Sequence, residues 1–578
     1  MPGGLLNLVA YGNQNVILNG NPSKTFFKAT YAKYTNFGLQ KFRIDFSGQR
    51  TLRLTESSVF DFTVPRYGDL LMDTYLVVNL PNIWSPVYPP TETLAKGTEP
   101  TTHDQTWQPY RFEWIKNLGT QMIERVRFTV GGQVIQDFTG QYLLNLVKRD
   151  FSAEKLQLYN EMTTVQSPWE IPYENNETLY GDAFYAGKDL TNLNNQSVYN
   201  QVGSEPTIRA KQIYIPLNIW FTLAAKMALP LVSLQYAELK IEVTLRPIQE
   251  LFTIKRVYAG TETIKDNPRD RIQPNFNESQ YGLYRFLQSP PDVNINDDSV
   301  YVNRQTNWNA DVHLLSTYGF LTDDEVRIFA RNEQRYIVRQ AYTTRFHDVV
   351  GSRKVDVNSI GMVSNYMWFF QRSDVNERNE WSNYTNWPYG YAPQAPVSAR
   401  NQEFVSPWDG KVPTSNANSL PPAGNKTGGF YNPANQKLIM TTWALLLDGK
   451  YRENDFPAGV FDYVEKYVRT SGNAPEGLYC YNLALHSDPF DFQPSGAINM
   501  SKFTNVQFEV TTMQPTLDPN AQFNAICGIN PTTGESNVVG VSKPAFGIYD
   551  YTYDLVVMEE RWNVVVFSNG MAALQFTR

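Results

Sequence analysis

Residues 239–245 read LKIEVTL: Leu239, Ile241, Val243 and Leu245 alternate with Lys240, Glu242 and Thr244. A period of two sends successive side chains to opposite faces, so this stretch predicts a strand with one buried face. The pattern recurs outward from there. Val126, Phe128 and Val130 alternate with Arg125, Arg127 and Thr129, and residues 506–510 turn Gln507 and Glu509 away from their apolar neighbours. Phe42, Ile44 and Phe46 do the same near the start. Between such runs, Gly131-Gly132, Asp448-Gly449 and Asn569-Gly570 carry hairpin chemistry. Helical signals are fewer. Ser152 can cap a helix over 152–162, Thr322 and Glu325 have capping-box spacing for a helix running to Asn332, and 216–228 has room for another short one. The expected class is mainly β, with a few short helices in the connections.

The chain has 578 residues, of which 42% are hydrophobic and 19% charged, the balance of a globular protein. At ~150 residues per domain it could hold three or four, but β-sandwiches run to ~250 residues, so two large domains also fit. The 35 tyrosines and 33 phenylalanines suit pleated, half-buried surfaces. A net charge of −7, with Lys and Arg spread along the chain, shows no basic stripe, so direct nucleic-acid binding is not expected. The pair Lys148-Arg149 reads as solvated surface. Two cysteines, Cys480 and Cys527, do not make a disulfide scaffold and read as buried thiols. The beginning lacks a basic region followed by an apolar run, and Pro2 instead of glycine follows Met1, so neither a secretory signal nor myristoylation is expected. The longest apolar run, 438–447, is too short to span a bilayer.

Catalytic chemistry is hard to find. His103, His313, His347 and His486 stand apart from one another and from the cysteines, at no metal-ligand spacing. No nucleophile elbow, P-loop or dinucleotide fingerprint occurs. Asp323-Asp324-Glu325 reads as a helix start, where acids meet the positive end of the dipole. Asp488 and Asp491 read as a Pro-rich turn. No catalytic, cofactor-binding or metal-ligating residue is therefore assigned, and no cofactor is expected. Long segments rich in Pro, Asn, Gly, Ser and Thr cover 81–111, 160–211, 255–307 and 372–436, lengths that suggest contact surfaces or surface decoration. Sequons stand at Asn176, Asn195, Asn277, Asn383, Asn425 and Asn499, but a cytoplasmic product would not meet the usual glycosylation machinery.

One stretch has no settled period. Residues 3–37, GGLLNLVAYGNQNVILNGNPSKTFFKATYAKYTNF, crowd apolar and aromatic side chains among turn residues. Leu5 to Val9 could form one helical turn, which Gly12 and Asn13 would stop. The stretch cannot bury its own side chains, so it must lie on the body of its own chain or on a neighbouring copy. It resembles the amino terminus of the double jelly-roll major capsid proteins of nucleocytoplasmic large DNA viruses. Five later segments match in the same order: EWIKNLGTQMIERVRFTVGGQVIQ (113–136), IPLNIWF (215–221), LPLVSLQYAELKIEV (229–243), QPSGAINMS (493–501) and WNVVVFSNGMAALQF (562–576).

The resemblance implies two tandem eight-stranded antiparallel jelly-roll barrels. The expected division is an arm over 1–25, a first barrel over 26–343 and a second over 344–578, the seam falling near Thr343 after a strand read at 335–346. It also implies a structural protein and no enzyme: a homotrimer forming a pseudo-hexameric capsomer of an icosahedral shell, made and assembled in the host cytoplasm. Its implied partners are neighbouring capsomers, minor capsid proteins and a penton protein, with the arm on the inner side near the membrane. The alternatives are a minor capsid or spike protein of the same architecture, or a carbohydrate-binding β-sandwich.

Overall fold

The computed structural model describes residues 12–48, 51–92, 95, 98, 101–106, 108–165, 206–258, 271–290, 298–388, 437–515, 524–529, 536–542 and 551–576. Sixteen strands carry the architecture. Eight come from the N-terminal half: β1 (Gly38–Asp45), β2 (Ser58–Thr63), β3 (Leu70–Leu80), β4 (Ile123–Val130), β5 (Gln133–Thr139), β6 (Lys211–Pro216), β7 (Leu239–Leu245) and β8 (His313–Phe320). Eight follow: β9 (Gln334–Phe346), β10 (Ser352–Asp356), β11 (Met362–Arg372), β12 (Met440–Leu447), β13 (Lys450–Pro457), β14 (Leu478–Asn482), β15 (Val506–Thr512) and β16 (Tyr553–Ser568). All their pairings are antiparallel. The first group forms sheets ordered β1-β8-β3-β6 and β2-β7-β4-β5. The second forms β9-β16-β11-β14 and β10-β15-β12-β13. Adding eight to each strand number of the first pair of sheets gives the second pair. The chain thus repeats one jelly-roll topology, although no literal repeat is visible in its residues.

Local chemistry explains the framework. The opening stretch is β7 over its full length, with Leu239, Ile241, Val243 and Leu245 buried. Strands β4 and β15 occupy two of the other alternating runs, and β1 covers Phe42 and Ile44 of the third. The three expected turns close the β4–β5 and β12–β13 hairpins and join β16 to a short strand β17 (Met571–Leu574). Both central residues have positive φ in each: Gly131 57° and Gly132 84°, Asp448 50° and Gly449 76°, Asn569 52° and Gly570 79°. This is the mirror-image turn whose twist matches antiparallel strands.

The main helices are α1 (Gly140–Asp150), α2 (Ala153–Thr163), α3 (Asp323–Arg331) and α4 (Glu465–Arg469), the last continuing a π-turn over Val460–Val464; one-turn helices also occur at Asn15–Asn19, Leu118–Met122 and Tyr284–Leu287. Ser152 caps α2, its hydroxyl accepting from the Lys155 amide. Thr322 precedes α3 as expected but makes no side-chain cap. Instead the Glu325 carboxylate accepts from the Thr35 hydroxyl at 2.7 Å. Residues 216–228 hold two 3-10 turns rather than a helix.

Two apolar cores fill the barrels. In the second, Trp368 stacks on Trp443 with ring centroids 4.6 Å apart, and Phe461 and Phe508 pack edge-on or tilted against them. The sheet β9-β16-β11-β14 is shared. Tyr366, Trp368, Leu555 and Val557 point into the second core, while Met367, Phe369, Val556 and Met558 point into the first. A sheet covered on both faces needs near-continuous apolar runs, which is why β11 reads MVSNYMWFFQR.

This sheet also bears on where the chain divides. All thirteen residues of β9 pair with β16, from Gln334 opposite Phe567 to Phe346 opposite Leu555. A boundary between 343 and 344 therefore cuts a strand whose backbone hydrogen bonds belong to the second barrel.

Candidate functional site: the inter-barrel seam and the open faces

Helix α1 leaves β5 with the Thr139 hydroxyl accepting from the Tyr142 amide, and then crosses onto the second barrel. Its end carries Arg149, expected in solvent. In fact the side chains of Arg149, Asp150 and Glu560 are wholly inaccessible. The Arg149 guanidinium donates to Asp150 at 2.7 and 2.9 Å, to both Glu560 oxygens at 3.1 and 3.2 Å, and to Asn365 at 3.0 Å. Glu560 also accepts from the Tyr142 hydroxyl at 2.7 Å and from Arg339 at 3.2 Å. Asp150 accepts from the Ser487 hydroxyl at 2.5 Å, and the Gly472 amide donates to the Arg149 carbonyl at 2.8 Å. One helix of the first barrel's connection and three strands and two loop residues of the second barrel thus share one set of hydrogen bonds.

The electrostatics are finely opposed. Burial works against the Glu560 charge, but Arg149, Arg339 and the Tyr142 hydroxyl more than offset it, holding the carboxyl below its usual range. Burial dominates at Asp150 and pushes its carboxyl up despite Arg149. A desolvated cluster of this kind is strongly destabilised if one partner is lost. It also fixes how the barrels meet, because a planar guanidinium satisfies these acceptors in only one geometry. At the other end of the seam the strand edges touch: Gln136 donates to the Arg339 carbonyl at 3.3 Å, and Gln340 to the Ile135 carbonyl at 2.5 Å. Beyond that contact a cleft of 1110 Å³ opens, floored by Val134, Met362, Trp562 and Phe576.

The residues weighed for chemistry stay apart. His103 stacks on Tyr258, His313 sits against the Asp311 carbonyl, His347 pairs with Asp554 and His486 faces Asp491. Asp488 and Asp491 each accept from the amide two residues on, as turn residues do. Cys480 is buried, which pushes its thiol up to about 12. The Cys527 side chain, residues 5–9 and the sequons at Asn176, Asn195 and Asn425 lie outside the described residues. Asn277 and Asn499 are exposed. Among the described residues no three His, Cys, Asp or Glu side chains converge, and no helix is long and apolar enough to cross a membrane.

Two apolar surfaces are open. The first is the arm. Ile17, Leu18, Phe26, Phe27, Tyr31 and Tyr34 are each more than 80% exposed, so these side chains are not buried on their own chain, which Thr35 touches at Glu325. The arm is also basic, contrary to the whole-chain reading: Lys24, Lys28 and Lys33 precede β1, with no acid before Asp45. The second is one side of the helix 458–469, where Tyr463, Val464, Tyr467 and Val468 face solvent.

Comparison with known proteins decides what such a molecule is. A family described as the major capsid protein N-terminus matches residues 25–269, and one described as the large eukaryotic DNA virus major capsid protein matches 325–573. The chain belongs to the major capsid proteins of large eukaryotic DNA viruses. Similar members include the major capsid protein of Phaeocystis pouchetii virus, 25% identical over 89% of this chain and 94% of that one. Another is the major capsid protein of Paramecium bursaria Chlorella virus 1, 24% identical over the full length of both. Among solved structures, the fold matches a chain of the PBCV-1 virus capsid (TM-score 0.55, 18% identity, 96% of this chain and 100% of that one). It also matches the Faustovirus major capsid protein (TM-score 0.56, 12% identity, 98% and 99%). This capsid protein is a double jelly roll, a component of the virion, and not an enzyme. The second family match begins at residue 325, upstream of β9, in keeping with the strand pairing.

Sequence reasoning missed Arg149 as a seam residue. A signal existed: Glu559-Glu560-Arg561 interrupts the otherwise apolar LVVM…WNVVVF of β16. Charges inside a buried strand require partners.

Proposed function

We propose that three copies of this chain close into one pseudo-hexameric capsomer, and that such capsomers tile an icosahedral shell. The observation that carries the reading is the repeated strand order. Two barrels of the same topology, locked at a fixed angle by the Arg149 cluster, become six similar barrels around a three-fold axis. A block with six like sides fits a lattice position with six neighbours. The first barrel ends upstream of Gln334 in this reading, and the second begins with β9. The basic, aromatic arm is the contact to other components on the inner side: neighbouring capsomers, minor capsid proteins, or the face toward an internal membrane. The penton protein would meet the capsomer edges.

Sedimentation of the full chain and of a chain lacking residues 2–21 tests both levels. Both should run as three-chain species, the full chain at three times 66.2 kDa, and only the full chain should go on to shells. A single-chain species of the full protein would contradict the trimer. Normal shell yield from the truncated chain would contradict the role of the arm.

A further inference from the structure

The inter-barrel seam is sealed along only part of its length. On β16 the cover reaches Glu560, which the α1 cluster holds. Two residues on, on the same side of the pleat, Trp562 faces the 1110 Å³ cleft. Strands β11 and β17 flank the opening along one edge of β16, Met362 opposite Trp562 and Leu574 opposite Val565. Asn563 closes the gap between them, donating to the Phe576 carbonyl at 2.8 Å and accepting from the Phe576 amide at 3.3 Å.

The open part is apolar. Val134, Ile360, Met362 and Phe576 line it and are 42–63% exposed. The Trp562 indole N–H is buried but meets no acceptor among the described residues, although buried donors of this kind are nearly always paired. Its ring is held by the Arg339 guanidinium, 5.0 Å from the centroid. The arginines around the cleft are already paired. Asp137 holds Arg125 and Arg127, and Glu559 holds Arg561. An anionic headgroup or a phosphate would therefore meet cations that are engaged elsewhere. An uncharged apolar chain that brings a carbonyl to Trp562 fits this lining.

The arm has that chemistry. Residues 3–23 contain no charged side chain. The one-turn helix Asn15–Asn19 buries none of its residues, and its Val16, Ile17 and Leu18 are 59–87% exposed. A helix this short leaves carbonyls without partners at its end. From Leu18 to Gly38, where β1 begins, the extended chain spans up to ~66 Å. A compact chain of this length has a radius of gyration of only ~25 Å. The arm thus reaches past its own block.

We propose that the apolar part of the arm of one block enters the inter-barrel cleft of a neighbouring block, with Ile17 and Leu18 on Met362 and Trp562 and an arm carbonyl accepting from the Trp562 indole. The inference rests on the reading of the arm as a contact beyond its own block, and it names the receptor. The contact ties finished blocks to one another and plays no part in holding the chains of one block together. A single contact of this size is weak, so free blocks stay apart, while many of them in a shell act together.

Full-length variants test it. Met362 touches solvent, so Met362→Lys should keep the three-chain mass and the melting temperature of the unaltered chain but lose shell formation. For the second test, blocks of Leu18→Cys and blocks of Met362→Cys are mixed and assembled. A short bismaleimide should then give a two-chain band on a denaturing gel, absent from either variant alone, from the unaltered chain and from unassembled blocks. Shells at unaltered yield from Met362→Lys overturn the inference, and so does a mixture whose shells give no two-chain band. A band already present in free blocks, or a chain with both cysteines that links only to itself, overturns it as well. All four results leave the trimer and the shell standing, whereas an unaltered chain that forms neither contradicts the proposed function itself. If Met362→Lys lowers the melting temperature, the cross-link decides alone.

Discussion

Helix α1 and the helix 458–469 hold the same place in two barrels of the same topology, yet one is sealed and the other bare. The sealed one ends in a buried Arg149–Asp150–Glu560 cluster joined by Arg339, Tyr142 and Asn365. The bare one presents Tyr463, Val464, Tyr467 and Val468 to solvent. The difference separates a folding contact from an open surface in a building block. A contact made once, during folding of one chain, can use desolvated charge, because geometry is set by the chain and specificity outweighs net stabilisation.

The sharpest way to break the comparison is at the sealed end. Glu560→Ala leaves Arg149 and Arg339 facing a cavity without their shared acceptor, and should cost about 3–5 kcal/mol. Denaturant melts of the isolated protein would measure it. A loss under about 1 kcal/mol, the range of an exposed pair, would mean that the seam is wetter and looser than described. A smaller effect should follow pH. Glu560 is held below its ordinary value of 4.5, so its contribution is complete above that pH and fades as the pH falls through the folded-state value. The gap in melting temperature between the unaltered chain and Glu560→Gln should therefore be widest near neutrality and shrink below about pH 4.5. A gap that widens on acidification would contradict the assignment of Glu560 as the charged partner.

Much of this was legible in the residues. The alternation at 239–245 and the paired glycine-containing turns specify strands and hairpins locally, because period and positive φ are properties of a few neighbouring residues. Ser152 marked α2 for the same reason. What was not legible is non-local. Arg149 and Glu560 are 411 positions apart, and a Lys-Arg pair looks like surface until the acid that buries it is known. Strand β9 was recognisable as a strand, but nothing in its own side chains says which barrel it joins; its partner β16 lies two hundred residues downstream. The basic arm was hidden by averaging, since a chain of net charge −7 dilutes three lysines that share one exposed segment.

The most direct test is a density map of the assembled block. Six barrels should surround the three-fold axis, with α1 of each chain sealed on β16 and β11 of its own second barrel. A map with two barrels alone, or one in which the Arg149 cluster is open to solvent, would contradict the account.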